Sequence, residues 1–179
     1  NTPRLSSAAS DVYKRQVDLP DGKMKSREGT VVDADELLNS VINEAKNLTS
    51  ERGFLEGLSE EEIADNCEKI GISGLKYFLL KVDPKKKMSF NPKETIDLSG
   101  HTGPFIQYTF VRIKSLLNKS ENLNHEFDID QLDINFKELD VLKQIAKFPE
   151  VLEQSARELS PYILANYLYS LVKSYNSFY

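Results

Sequence analysis

The sequence predicts a mainly α fold, a connecting helical region followed by a helical bundle, with both ends cut through larger elements. Two helix-start pairs, Asp33 with Glu36 and Ser59 with Glu62, stand just before apolar residues that recur at helical spacing. Pro92, Pro104 and Pro161 each stand where a helical pattern opens. Proline suits that position because its missing N–H is one the first turn leaves unpaired anyway. Only Lys87-Met88-Ser89-Phe90 reads as a strand, and a short one.

The first helix is expected to begin after Asp33 and run to about Leu48, with Leu37, Leu38, Val41, Ile42 and Ala45 on its apolar face. Asp33 is expected to accept from free backbone N–H groups while Glu36 reaches back. The second follows Ser59, where three consecutive glutamates favour the positive end of the helix dipole. Ile63, Cys67, Ile70, Leu75, Phe78 and Leu79 form its apolar face, with Gly71 and Gly74 as candidate interruptions. Beyond Asn91-Pro92 a short helix is expected, and from Pro104 a longer one with Phe105, Tyr108, Val111, Ile113, Leu116 and Leu117 mostly along one side. The Asn- and Asp-rich stretch 118–134 reads as a loop, followed by helices over about 136–148 and 149–159 and a last one from Pro161. That last helix is crowded with aromatics, of which Tyr162, Tyr175 and Phe178 are expected inside with Ile163, Leu164, Leu168, Leu171 and Val172.

With 179 residues, 40% of them hydrophobic, the chain can bury a core; its net charge of −5 argues against coating nucleic acid non-specifically. Cationic clusters remain: Lys23, Lys25 and Arg27; Lys81, Lys85, Lys86 and Lys87; Arg112, Lys114 and Lys119. A single cysteine, Cys67, excludes an internal disulfide or a cysteine-based metal site and suits a reducing compartment. No stretch approaches the roughly 20 apolar residues that cross a bilayer, so no membrane partner is expected. Asn47-Leu48-Thr49 and Asn118-Lys119-Ser120 match the glycosylation pattern by chance on this reading.

Residues 1–16, NTPRLSSAASDVYKRQ, have neither helix nor strand period, and LSSAASDVYKRQ resembles a translated library-adapter junction. They are expected to be a disordered, non-native scar. At the other end Tyr179 arrives inside a helical pattern with no stop signal, so the chain reads as a fragment.

The stretch GKMKSREG, residues 22–29, gathers cations between two glycines just before a helix start. Three physical jobs fit it: folding over a polyphosphate, facing a nucleic-acid backbone, or serving as a solvated turn. Its spacing matches neither the Walker loop nor the dinucleotide fingerprint. His101, in SGHTGP, reads as a residue that hydrogen-bonds at a helix start rather than a metal ligand, since His125 is the only other histidine.

GKMKSREGTVVDADELL, residues 22–38, resembles the KMSKS loop of class I aminoacyl-tRNA synthetases in the form seen in arginyl-tRNA synthetases. Residues 71–117 resemble that family's junction between the catalytic and helical anticodon-binding domains. ELSPYILANYLYSLVKSYNSFY, residues 158–179, is similar to a helix of its anticodon-binding domains. The resemblance implies the end of a catalytic domain with its loop and connecting helices over 17–100, and an incomplete helical anticodon-binding domain over 101–179. It also implies ATP as substrate with Mg2+, no protein-bound metal, and arginine and its tRNA as partners of a monomeric, cytoplasmic parent.

By the same resemblance Gly22, Lys23, Met24, Lys25, Ser26 and Gly29 would hold ATP, with Lys23, Lys25 and Ser26 in catalytic roles. Lys23 and Met24 occupy the first two KMSKS positions. Ser26 stands where the fourth-position lysine would be, with Lys25 one place early and Arg27 one place late. Gln107, Tyr108, Arg112, Tyr175, Asn176 and Tyr179 would contact tRNA. Such a fragment is expected to be inactive alone, because the first ATP motif of class I enzymes lies upstream in the family. The other readings are a non-catalytic helical interaction module and another class I synthetase.

Overall fold

Capping chemistry and apolar spacing place the helices, and their packing then fixes which faces close. The computed structural model describes residues 17–19, 22–23, 32–53, 56–120 and 132–179. The expected scar at 1–16, the loop residues Met24, Lys25, Ser26 and Gly29, and most of the expected loop 118–134 lie outside the described residues. The fold is mainly α, and the chain divides into two units, 1–104 and 105–179.

In the first unit, β1 (Val17–Leu19), β2 (Gly22–Lys23) and β3 (Met88–Ser89) form a small sheet in the order β2-β1-β3. β2 runs antiparallel to β1, with Asp18 opposite Lys23 and Leu19 opposite Gly22. β3 runs parallel to it, with Val17 opposite Met88. The Phe90 N–H extends the pairing by donating to the Asp18 carbonyl at 2.8 Å. Helices α1 (Ala34–Glu51) and α2 (Glu60–Leu80) pack along each other, and the short α3 (Pro92–Thr95) closes against them. The core between these elements is Val41, Ala45, Cys67, Phe78, Met88, Phe90 and Ile96. Phe78 and Phe90 meet edge to face at 5.4 Å, and burying a ring of that size stabilises by about 1.5–3 kcal/mol.

The two expected caps behave differently. Ser59 and Glu62 form the full reciprocal box, and the hydrogen bonds from Ser59 hold the Glu62 carboxyl below the ordinary range. Asp33 occupies the N-cap of α1 in extended backbone, but its side chain makes no cap hydrogen bond. The carboxylate is exposed, and water competes for it without cost. α1 also runs three residues past Leu48, to Glu51; Thr49, buried there, returns its hydroxyl to the Ala45 carbonyl at 2.8 Å.

Gly71 and Gly74 do not interrupt α2; they let neighbours in. A Cβ on Gly71 would stand 2.7 Å from Ile42 Cγ1 and 3.1 Å from the Ile42 backbone, so α1 crosses where only hydrogen fits. Gly74 admits the Thr95 carbonyl and Ile96 in the same way. The segment after α3 is tied back onto α2: Lys81 Nζ donates to the His101 carbonyl at 2.8 Å, and the His101 ring meets Tyr77 edge-on at 5.5 Å. The Thr102 hydroxyl donates to the Asp97 carbonyl.

The second unit holds α4 (Gly103–Lys119) from Phe105 on, α5 (Phe136–Ala146), α6 (Phe148–Arg157) and α7 (Pro161–Phe178). α5 opens on a capping box of Asn135 and Glu138, and Pro149 sits in the first turn of α6. α7 packs on α5 and α6. Its aromatic face differs from expectation: Tyr167 is the buried tyrosine, while Phe178 is 39% exposed and Tyr162 and Tyr175 are half-buried. Tyr167 goes inside because its hydroxyl finds the Gln144 carbonyl at 2.9 Å, while its ring lies 5.9 Å from that of Phe148. On α4, Tyr108, Val111, Leu116 and Leu117 stay exposed rather than closing an apolar stripe. No helix among the described residues is long and apolar enough to cross a membrane.

Candidate nucleic-acid interface

Arg112 and Asn176 lie 64 positions apart and meet where α4 lies against the last turns of α7. Arg112 Nη1 donates to Asn176 Oδ1 at 2.7 Å. The amide nitrogen of Asn176 donates in turn to Thr109 Oγ1 at 2.7 Å and to the Val172 carbonyl at 2.8 Å. Thr109, fully buried, completes the chain by donating to the Phe105 carbonyl at 3.0 Å. Asn176 is thus fixed on both sides of its amide, and the guanidinium it receives is fixed with it.

Two tyrosines frame that guanidinium. The Arg112 Cζ lies 4.0 Å from the Tyr179 ring centroid and 5.4 Å from that of Tyr108. The nearer distance puts the cation against the face of the Tyr179 ring, where the ring quadrupole attracts it. Tyr175 joins through its ring, 6.1 Å from Tyr179, and its hydroxyl is buried without a hydrogen-bond partner among the described residues. Phe105 and Tyr169 pack at 5.9 Å and also join α4 to α7.

Five of the six residues expected to contact tRNA therefore come together: Tyr108, Arg112, Tyr175, Asn176 and Tyr179. Gln107 is half-buried, and none of the contacts just described involves it. The position sequence reasoning missed is Thr109, whose signal was its place one turn before Arg112 on the same helix face. Tyr108 and Tyr179 remain 45% and 58% exposed, so each ring keeps free surface beside a fixed cation. Exposed aromatic faces next to a planar guanidinium can stack on unpaired bases, while the charge attracts phosphate.

Of the expected ATP-binding residues, Gly22 and Lys23 form β2 and the other four lie outside the described residues. Among the described residues no group of His, Cys, Asp and Glu side chains could hold a metal ion.

The DALR anticodon binding domain family matches residues 106–179, the stretch that carries the whole cluster except Phe105. The arginine–tRNA ligase of Flavobacterium psychrophilum is 52% identical over 166 residues, which are 91% of this chain and 27% of that protein. That of Bacteroides thetaiotaomicron is 49% identical over 166 residues, covering 91% of this chain and 28% of that protein. The solved structure of Thermus thermophilus arginyl-tRNA synthetase superposes with a TM-score of 0.77 at 27% identity, covering 91% of this chain and 26% of that one. The chain thus spans little more than a quarter of the length of the curated relatives it matches. Residues 106–179 thus match the DALR anticodon binding domain family, and 91% of the chain is similar to part of the arginine–tRNA ligases.

Proposed function

We propose that this chain works as part of an arginine–tRNA ligase, supplying an ATP-phosphate loop and a tRNA-binding helical portion, and that it is not catalytic alone. In this reading residues 17–100 end the catalytic domain and 101–179 bind the anticodon arm. The observation that carries it is the cluster of Tyr108, Arg112, Asn176 and Tyr179 within the stretch that matches the anticodon-binding family. The division of the chain after Pro104 supports the domain reading.

In the intact enzyme the arginine carboxylate attacks the α-phosphate of ATP and pyrophosphate leaves. The arginyl group then passes to a hydroxyl of the terminal ribose of the tRNA, and AMP leaves. Negative charge builds on the departing phosphates, and positioned cations and N–H donors lower that barrier without acting as a general base. Lys23 takes this task first and Lys25 second, with Ser26 contributing a hydroxyl and Gly29 backbone freedom. In this reading ATP would be used with Mg2+, without a protein-bound metal. The parent is a cytoplasmic monomer in this reading.

Two measurements test it. The chain should bind arginine tRNA more tightly than an unrelated tRNA at the same salt; equal affinity overturns the recognition role. In the full-length parent, Lys23→Ala should slow arginine-dependent activation while leaving tRNA affinity nearly unchanged. A normal activation rate removes Lys23 from the phosphate role.

A further inference from the structure

The sequence Asp83-Pro84-Lys85-Lys86-Lys87, which joins α2 to β3, folds as a tight turn with its lysines outward. The Lys86 N–H donates to the Asp83 carbonyl at 2.9 Å, and Pro84 holds the position at which a turn of this kind favours proline. The Asp83 carboxylate accepts from the Lys85 N–H at 2.9 Å, so the one acidic group of the turn is occupied in holding its shape. Lys85, Lys86 and Lys87 are all exposed, and none has an ion-pair partner among the described residues. Lys81 is spent differently, on the His101 carbonyl. In an acidic chain, three adjacent ammonium groups without an ion-pair partner among the described residues, held on a braced turn, are a concentrated local field.

The sheet gives that field a direction. Lys87 precedes Met88, which pairs with Val17 on one side of β1; Lys23 pairs with Asp18 on the other. The turn and the strand of Lys23 thus share one end of the sheet, two strand spacings or about 10 Å apart in backbone.

We propose that Lys85, Lys86 and Lys87 form a contact surface for a phosphodiester backbone, that of the RNA bound in the reading above, on which this inference rests. Two observations favour a backbone over a terminal phosphate or a nucleotide. The N–H groups of Lys85 and Lys86 are already used within the turn, so no nest of N–H donors is left to cradle a phosphate group. What remains is three point charges on long stems, suited to neutralising successive phosphates without reading bases. The surface would add affinity and salt dependence, and no sequence preference.

The test compares the chain with a triple variant, Lys85→Gln, Lys86→Gln and Lys87→Gln, and with the corresponding triple arginine variant. Affinity for arginine tRNA and for an unrelated tRNA is measured across a salt series. The glutamine variant should bind both RNAs more weakly, with the slope of log affinity against log salt shallower by about 2–3, because each phosphate contact contributes about 0.9. The arginine variant should keep the wild-type slope. Tyr179→Ala should weaken binding with the slope unchanged, since stacking releases no counterions. An unchanged slope in the glutamine variant overturns the proposal even if arginine tRNA is still preferred. A shallower slope with no preference between tRNAs supports this surface and overturns the recognition role instead. Absence of RNA binding by the wild type overturns both. Loss of binding to poly-glutamate in the glutamine variant, with the RNA slope intact, assigns the turn to an acidic protein and overturns it too.

Discussion

Arg112 on α4 and Asn176 on α7 share a 2.7 Å hydrogen bond between residues 64 positions apart, and Asn176 is the only one of the pair that also binds Thr109 and the Val172 carbonyl. Removing the amide therefore breaks more than removing the cation. Asn176→Ala should destabilise the second unit by about 1–3 kcal/mol, because half-buried Arg112 and fully buried Thr109 each lose a partner. Thr109→Val should cost less, since Asn176 keeps its other two bonds. Urea unfolding checks this through a lower midpoint at unchanged slope. In a double-mutant cycle, Arg112→Ala and Asn176→Ala should be less than additive.

Where α1 crosses α2, Gly71 faces Ile42 with no space for a methyl group. Gly71→Ala should destabilise the first unit by about 1–3 kcal/mol through overpacking, even though alanine is the better helix former. Ile42→Ala removes Cγ1, the nearest obstacle, but the Ile42 Cα and N would still stand 3.1 Å from the new Cβ. The double variant should therefore recover only part of the loss after the cost of Ile42→Ala alone is subtracted. Full recovery would locate the whole obstacle in the side chain.

These two sites differ in how far a sequence can announce them. Ser59 and Glu62 are legible because both partners of the box lie within one turn, and the same pattern at Asp33 and Glu36 leads to a helix start without the hydrogen bond. Local pairs declare an opportunity; solvent decides whether the bond forms. The glycines of α2 look like interruptions because propensity is local, whereas the approach of Ile42 is not. Tyr167 and Phe178 changed places relative to expectation for the same reason: period gives a helix face, but the Gln144 carbonyl that receives Tyr167 belongs to another helix. Tyr108, Arg112, Asn176 and Tyr179 were picked out by family resemblance, and no periodicity could have paired them across the intervening helices. Thr109, marked in sequence only by its place one turn before Arg112, anchors Asn176.

The second unit carries much exposed apolar surface along α5 and α6, with Phe136 78% exposed and Leu139, Leu142, Ile145 and Leu152 each above 40%. Exposed apolar area of this kind favours association. The chain should bind a hydrophobic dye and show a sedimentation coefficient that rises with concentration. Phe136→Glu should reduce both while leaving the unfolding free energy within about 0.5 kcal/mol, because the ring contributes little burial. A monodisperse, dye-silent wild-type chain would contradict this.

At the end of the first unit, burial and, secondarily, the nearby Lys81 ammonium hold the His101 imidazole below the ordinary histidine value of 6.5. Both act against the charged form, so over the interval below 6.5 the unfolded chain binds more proton than the folded one. Stability then rises with pH across that interval and is lost as pH falls through it. His101→Asn removes the titration while keeping a polar side chain of similar reach. From about pH 7.5 to about pH 5.5 the wild-type chain should lose stability relative to this variant, the gap opening as histidine in the unfolded state begins to protonate. Paired denaturant titrations at each pH measure the gap directly. A wild-type chain that gained on the variant during acidification would mean that the folded state welcomes the proton, with an acceptor rather than Lys81 governing the ring.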